Sequence, residues 1–374
     1  MVLLIGNYSL DRQQSMQRFG TMMLHGLNAF GISAKLIAPR PFFGKFHGAG
    51  SFVAKWFGYI DKFVLFPRQF RATLAKEKPS IVHICDHSNA MYDGWVKRMP
   101  VVVTCHDLLA VRGAVGEETN CPASVTGKIL QRWILRGLHR ANIVACISQA
   151  TEADARRLVS HGAATPKIEL VRLGLNYPFR KLSETEISTR LASIPNLDVP
   201  FVLHVGSNLR RKNRDGALRI FARTKDKWNA RLVFAGDALT PELLSLAENL
   251  GIADRVTQVP EASDESLEAL YNRAVALLYP SRFEGFGWPV IEAQACGCPV
   301  VCSNSGPLPE AAGDAGLFHD PDDEAGFAAD LLRLRDPAQR AIWSEKGLHN
   351  AERFSTSEMI SHYIDIYRNL GAQL

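Results

Sequence analysis

The sequence predicts an α/β protein built from two successive doubly wound domains, each a mainly parallel sheet with helices on both faces. Three observations carry this. The chain has 374 residues, long for a single core, so two domains are expected. Short apolar runs alternate with segments of helical periodicity, the pattern of strands joined by crossover helices. That alternation stops in a polar, weakly patterned stretch, residues 174–198, and then begins again.

In the first half, Val2–Gly6 reads as a strand, Met16–Phe30 as a helix and Ser33–Ile37 as a second strand. Ile81–Cys85, Val101–Thr104, Asn142–Ile147 and Ile168–Arg172 are further short apolar runs, with helical stretches between them. Gly174–Asp198 reads as a hinge. In the second half, strands are expected at Phe201–Val205, Arg231–Ala235 and Val256–Val259, with helices at Arg214–Thr224, Pro241–Asn249 and Ser266–Arg273. Ala274–Ser281 is a buried strand running into a Pro-Ser turn. Pro289 then opens a helix at its first position, where a missing N–H costs nothing, and Gly297 closes it. Cys298–Cys302 is one more buried strand, and Ser355–Leu370 is an amphipathic closing helix. The expected domains are residues 1–178, joined by the closing helix 355–374, and residues 190–354.

Composition is that of a globular protein, 47% hydrophobic and 22% charged. No run of 18 apolar residues occurs, so no membrane-spanning helix is expected. The opening Met-Val-Leu-Leu-Ile-Gly-Asn reads as a strand and not as a signal peptide. Cys85, Cys105, Cys146 and Cys302 sit in apolar runs and read as small buried hydrophobes of a reducing compartment. Cys296 and Cys298 lack a second pair or a His cluster at zinc spacing, so no metal is expected. Charge is uneven. Residues 1–181 hold 24 Lys+Arg against 11 Asp+Glu (+13), and the remainder holds 19 against 27 (−8). The first half is therefore expected to face something anionic.

Two segments carry the chemistry. The stretch Glu284-Gly-Phe-Gly-Trp-Pro-Val-Ile-Glu292 puts one carboxylate on the loop leaving a strand and another on the following helix. Ligands of open parallel sheets bind outside those strand ends. Gly285 and Gly287 let backbone approach a ligand closely. The second segment, Gly206-Ser-Asn-Leu-Arg-Arg-Lys-Asn213, places Arg211 and Lys212 between a strand end and a helix start, a suitable diphosphate cradle. Arginine forks two phosphate oxygens and lysine adds a point charge.

With these motifs the C-terminal half resembles the retaining, GT-B-fold glycosyltransferases of family 4. The matching residues are Gly206…Arg211-Lys212-Asn213, Leu232-Val-Phe-Ala-Gly236, Leu267…Leu270-Tyr271, Tyr279-Pro-Ser281, Glu284-Gly-Phe-Gly287…Glu292-Ala293, Cys296-Gly-Cys-Pro-Val300 and Leu308-Pro-Glu310. The N-terminal half matches more loosely, through Thr104-Cys-His-Asp-Leu108 and Ile147-Ser-Gln-Ala-Thr151. The resemblance implies two Rossmann-like domains facing across a cleft, the first binding the acceptor and the second the nucleotide sugar. It implies that Glu292 holds the ribose and Glu284 the donor sugar, helped by the Phe286 and Gly287 amides. Arg211 and Lys212 would neutralise the diphosphate, including charge that grows on the leaving group. Pro260 and Glu261 would border the nucleobase, and His106, at a strand end facing the cleft, would lie near the reacting carbon. Retaining glycosidases use a carboxylate nucleophile. The resemblance assigns none here, so Glu284 reads as a sugar ligand. No metal or other cofactor is implied beyond the nucleotide-sugar donor, with GDP-mannose placed first and a UDP-hexose next. One departure stands out: where the family carries a glycine-rich turn after the first strand, this chain has the loop Gln14-Ser-Met-Gln-Arg-Phe19.

Residues 40–78 hold eight Lys+Arg, two Asp+Glu and ten aromatics, among them Phe42, Phe43, Phe46, Trp56, Phe57 and Tyr59 with Lys45, Lys55, Lys62, Arg68 and Arg71. This is the composition of a surface that settles on anionic lipid. Its counterpart reading is aromatics in the core with a solvated cationic face. Single-stranded nucleic acid is a further ligand for such a composition, but no nucleic-acid motif accompanies it. The expected activity is hexose transfer, mannose first, to a lipid-linked or saccharide acceptor in bacterial surface-polysaccharide synthesis. The expected location is the cytoplasmic membrane face, as a peripheral protein. A GT-B nucleotide-sugar epimerase and a catalytically weak nucleotide-sugar-binding subunit are the other readings.

Overall fold

A computed structural model of the chain describes residues 1–11, 13–46, 52–119, 121, 123–159 and 165–374; the side chains of 46 and 52–55 are outside the description. Phe46 and Lys55 of the basic, aromatic segment therefore fall outside it at the side-chain level. The chain divides into two compact units, Met1–Asn176 with Ser355–Leu374, and Tyr177–Phe354.

Unit 1 contains strands β1 (Val2–Ile5), β2 (Ala34–Ile37), β3 (Ile81–Ile84), β4 (Val101–Cys105), β5 (Ile143–Cys146) and β6 (Lys167–Leu170). Its helices are α1 (Gln14–Ala29), α2 (Phe52–Ile60), α3 (Phe66–Glu77), α4 (Leu109–Ala114), α5 (Val125–Arg140) and α6 (Gln149–Val159). The strands run β2-β1-β3-β4-β5-β6, all parallel. Parallel strands covered by helices lose the alternation of a half-wet sheet, and β1, β3, β4 and β5 are buried along their whole length.

Unit 2 contains β7 (Phe201–Gly206), β8 (Arg231–Gly236), β9 (Val256–Pro260), β10 (Ala276–Tyr279), β11 (Val300–Ser303) and β12 (Gly316–His319). Its helices are α7 (Glu184–Leu191), α8 (Arg214–Ala222), α9 (Pro241–Asn249), α10 (Asp264–Arg273), α11 (Trp288–Ala295), α12 (Leu308–Ala312), α13 (Glu324–Arg333) and α14 (Pro337–Ala351). The strand order is β12-β11-β10-β7-β8-β9. Order reverses between β7 and β10, and such a switch point leaves a crevice at the strand ends.

The last helix, α15 (Thr356–Asn369), packs on unit 1. Tyr363 and Tyr367 enter the sheet's buried polar line, where His83 bonds Tyr367 Oη at 2.6 Å and Thr104 Oγ1 at 2.8 Å, and Thr104 meets Tyr363 Oη at 2.7 Å. Burial drops the His83 imidazole to about 3, so it bonds as a neutral ring.

Two expectations need correction, and elements such as α7 and β12 were not expected. Within residues 174–198, read as a hinge, lies α7, whose Ser183 and Glu186 form a capping box that satisfies the first free amides. Residues 14–19 are not a loop but the opening turns of α1, where no backbone requirement for glycine exists. The strand β12 escaped the sequence reading because Gly316-Leu-Phe-His319 is too short and too mixed to show a period. Pro289 occupies the second helical position of α11, behind Trp288, with Gly287 as the cap.

The basic, aromatic segment divides between its two readings. Phe66 and Phe70 are core, whereas Phe42, Trp56 and Val64 are about half exposed or more, at 60%, 51% and 46%. Asp61 is the buried hub beneath: its carboxylate accepts from Tyr8 Oη at 2.7 Å and from the amides of Phe42, Phe43 and Gly44 at 3.0 Å each. Among the described residues no helix is long and apolar enough to cross a membrane.

Candidate active site

In unit 2 the loops leaving β7 and β10 meet at the switch point. The β7 loop ends in a single 3-10 turn, Arg210–Lys212, and Asn213 takes the left-handed conformation (φ 54°) before α8 starts. Asn213 Nδ2 donates to the Pro280 carbonyl at 3.0 Å, and the Arg282 amide donates to the Arg211 carbonyl at 2.8 Å. These bonds tie the two loops together and aim Arg211 and Lys212 at Glu284.

The result is a buried charge cluster. Lys212 Nζ donates to Glu284 Oε1 at 2.7 Å and to Tyr279 Oη at 2.6 Å; Arg211 Nη1 donates to Glu284 Oε2 at 2.6 Å and to the Phe283 carbonyl at 2.9 Å. Tyr279 Oη completes it by donating to Glu284 Oε1 at 2.8 Å. The Glu284 side chain is 6% exposed and that of Lys212 12%. Burial pushes the Glu284 carboxyl up, but Lys212 and Arg211 more than offset this and hold it at about 2. Burial lowers the Lys212 ammonium from its ordinary value, with Glu284 opposing. The same burial, reinforced by Glu284, raises the Tyr279 phenol, which is a hydrogen-bond donor at neutral pH.

Downstream, Gly287 caps α11 with φ 112°, a backbone conformation that favours glycine. Phe286 is buried with its ring edge-on to Phe354 at 5.8 Å. At the other end, Gly297 (φ 71°) closes the helix, with Cys298 N bonding Ala293 O at 2.8 Å and Gly297 N bonding Gln294 O at 2.9 Å. Glu292 lies in the second turn, 4% exposed, and accepts from Tyr271 Oη at 2.9 Å. Lys212, Arg211, Glu284 and Glu292 sum to zero formal charge, so the two cations are balanced by carboxylates in the structure.

Gly206 ends β7 beneath this cluster, with the Lys212 stem running over its α-carbon: a Cβ would lie 3.4 Å from Lys212 Cδ. Pro260 ends β9, two strands from β7, and Glu261 follows in the left-handed region (φ 53°), its amide bonded to the Gly236 carbonyl at 3.1 Å. That conformation is uncommon for a residue with a side chain. The structure thus brings together Gly206, Arg211, Lys212, Glu284 and Tyr279, sets Gly285–Glu292 beside them, and leaves Pro260 and Glu261 at the rim of the sheet.

His106 belongs to unit 1. It follows β4 and is 2% exposed, a buried side chain rather than an open one. Its Nε2–H donates to the Cys85 carbonyl at 2.9 Å, and the Phe19 ring stands edge-on at 4.9 Å. Burial, partly countered by Asp86, lowers its pKa, so the ring is neutral and Nδ1 keeps its lone pair. Nδ1 has no hydrogen-bond partner among the described residues. Beside it Asp86 accepts from Asn7 Nδ2, and His87 Nδ1 lies 3.1 Å from Asp86 Oδ1.

Tyr279 and Tyr271 match the family's pattern but received no role from the sequence: Tyr279 ends the apolar strand β10 and Tyr271 lies on the inner face of α10, so both read as core.

The description "Glycosyl transferases group 1" matches residues 189–349, and "Glycosyltransferase Family 4" matches residues 16–176. The O-antigen chain mannosyltransferase B of Escherichia coli is 31% identical over 239 residues, 58% of this chain and 62% of that protein. The D-inositol 3-phosphate glycosyltransferase of Acidothermus cellulolyticus is 30% identical over 311 residues, 77% of this chain and 67% of that protein. This chain therefore spans less than two thirds of the mannosyltransferase's own length. Among solved structures, sucrose-phosphate synthase of Thermosynechococcus elongatus superposes with a TM-score of 0.77 at 22% identity, over 99% of this chain and 98% of that one. Anabaena HepE, solved with UDP and glucose, gives 0.74 at 16%, over 98% of each chain. These likenesses show the fold, GT-B. Two family descriptions cover most of the sequence, and a relative shares 30% identity across two thirds of its own length: the chain belongs to the group 1, family 4 glycosyltransferases.

Proposed function

We propose that the chain is a retaining hexosyltransferase. It takes the hexose from a nucleotide diphosphate sugar and passes it to a lipid-linked or saccharide acceptor of a bacterial surface polysaccharide. The observation that supports this is the Arg211–Lys212–Glu284–Tyr279 cluster at the strand switch point, which holds two cations in fixed positions. Fixed positive charge in a dry site stabilises the charge that grows on a departing phosphate. In this reading Lys212 and Arg211 hold the diphosphate, Glu284 turns to the donor sugar, Glu292 to the ribose, the Phe286 and Gly287 amides to the sugar, and Pro260 and Glu261 to the base. No metal is needed for the phosphate charge. His106 acts from unit 1 with a neutral ring whose Nδ1 accepts a hydroxyl hydrogen. The donor order, GDP-mannose before UDP-glucose, draws on the E. coli O-antigen mannosyltransferase relative; the UDP-bound HepE supports the second choice.

The half-exposed Phe42, Trp56 and Val64 beside Lys45, Arg68 and Arg71 support a peripheral seat on the anionic inner face of the plasma membrane. Incubation with a panel of nucleotide sugars, with and without lipid-extract acceptors, tests the activity by nucleoside diphosphate release. Release that depends on acceptor is expected; binding without release under every acceptor contradicts enzymatic transfer.

A further inference from the structure

We infer that Arg214 is a positioning residue for the diphosphate site: it locks the β7 loop in the geometry that presents Lys212 and Arg211. The inference rests on the reading of unit 2 as the nucleotide-sugar unit. Arg214 is the first residue of α8 and faces inward, 3% exposed. Among the described residues no carboxylate forms an ion pair with its guanidinium; Asp237 acts on it only at longer range. Nη1 donates to Asn208 Oδ1 at 2.7 Å and to the Asp237 carbonyl at 2.8 Å, and Nη2 donates to the Gly206 carbonyl. Its plane lies over the Phe234 ring, 5.4 Å from the centroid.

Each acceptor belongs to a different piece of the switch point. Gly206 is the last residue of β7, Asn208 lies in the loop that leads to Lys212, and Asp237 follows β8. Asn208 closes the set, its amide donating to Asp237 Oδ2 at 2.9 Å and its Nδ2 to the Ala238 carbonyl at 2.6 Å. One planar fork therefore fixes the direction in which the loop leaves the sheet. Lysine carries three donors on a single nitrogen and cannot span three acceptors with the same geometry. The seat is crowded by design of the backbone: Gly236 sits at φ 123°, and a Cβ there would lie 2.2 Å from the Gly206 carbonyl oxygen that Arg214 holds.

A buried arginine with only neutral oxygen partners is costly for the fold alone, since desolvation is unmatched by an ion pair. Burial lowers it to about 10, Asp237 opposing, and it remains charged at neutral pH. Its charge and its clamp both act on the loop that ends in Lys212. The Gly206 carbonyl held by Arg214 belongs to the residue over which the Lys212 stem runs.

The test measures binding of UDP and GDP, and of uridine and guanosine, to the full chain and to the Arg214→Gln and Arg214→Lys variants. Calorimetry reads the diphosphates and ligand-observed NMR the nucleosides. Arg214→Gln should weaken the bound diphosphate by about tenfold or more, with Arg214→Lys intermediate, while nucleoside affinity stays within about threefold. Diphosphate affinity unchanged in both variants, or nucleoside affinity falling in parallel, overturns the inference. If Arg214→Gln does not fold, Arg214→Lys decides alone: a loss confined to the diphosphates sustains it, and wild-type affinity for them refutes it. Failure of the wild-type chain to bind either diphosphate is a separate result, which removes the site reading and the inference together.

Discussion

Replacing Glu284 with glutamine keeps the shape of the side chain and removes its charge. Lys212 and Arg211 then remain in a buried pocket facing a neutral amide. The structure sets the magnitude. The Glu284 carboxyl is lowered from 4.5 to about 2. At roughly 1.4 kcal/mol per unit, that difference of about 2.5 units is worth ~3 kcal/mol to the folded state at neutral pH, an order of magnitude consistent with breaking a buried ion pair. The sign follows from the depressed value. The contribution is complete above the ordinary carboxylate pKa, starts to fall near pH 4.5, and is lost as pH drops through the folded value. At pH 3 roughly half of it should remain. Denaturant unfolding of wild type and Glu284→Gln at pH 7 and pH 3 measures this directly. The gap should be roughly 3 kcal/mol at pH 7 and should narrow by about half at pH 3. A gap below ~1 kcal/mol at pH 7, or one that does not change with pH, refutes the assigned ion pairing.

Lys212→Ala should lower kcat/KM for the donor by about 100- to 1000-fold, the scale of losing one preorganised charge from a transition state, with circular dichroism unchanged. His106→Ala should cost transfer on the order of 100-fold while nucleoside diphosphate affinity stays at the wild-type value, since the residue lies in unit 1; loss of that affinity contradicts its assigned role. Liposome flotation should recover the protein with anionic and not with neutral vesicles, and Phe42→Ser with Trp56→Ser should reduce recovery; equal recovery from both lipids rules out the proposed membrane seat. EDTA should leave the transfer rate unchanged, and a rate restored only by added divalent metal removes the metal-free account of the phosphate charge.

Every strand but β12, and many of the helices, were legible because a parallel sheet writes itself as short, wholly apolar runs between helical segments, as in Val101-Val-Val-Thr-Cys105 and Ala276-Leu-Leu-Tyr279. The charged members of the candidate site stood out in the sequence by position: Arg211, Lys212 and Glu284 on loops at strand ends, and Glu292 on the helix that follows. Partners hidden in the core did not. Tyr279 and Tyr271 look like packing residues until their hydroxyls are seen on Glu284 and Glu292. Arg214 drew no role from the sequence, where it only opens a helix after the basic loop, and the fold turns it inward. The helix α7 was missed because its apolar face is small, buried through Ile187 and Leu191 alone. The loop expected at 14–19 came from the resemblance and was overruled by local helix-forming sequence.

The central claim is that unit 2 holds a nucleotide diphosphate on Lys212 and Arg211 and its ribose on Glu292. A crystal structure with GDP or UDP bound tests it most directly. The account predicts phosphate oxygens within hydrogen-bond distance of Lys212 Nζ and the Arg211 guanidinium, and ribose hydroxyls on the Glu292 carboxylate. A nucleotide bound elsewhere, with the Lys212–Glu284 and Arg211–Glu284 contacts undisturbed, would contradict it.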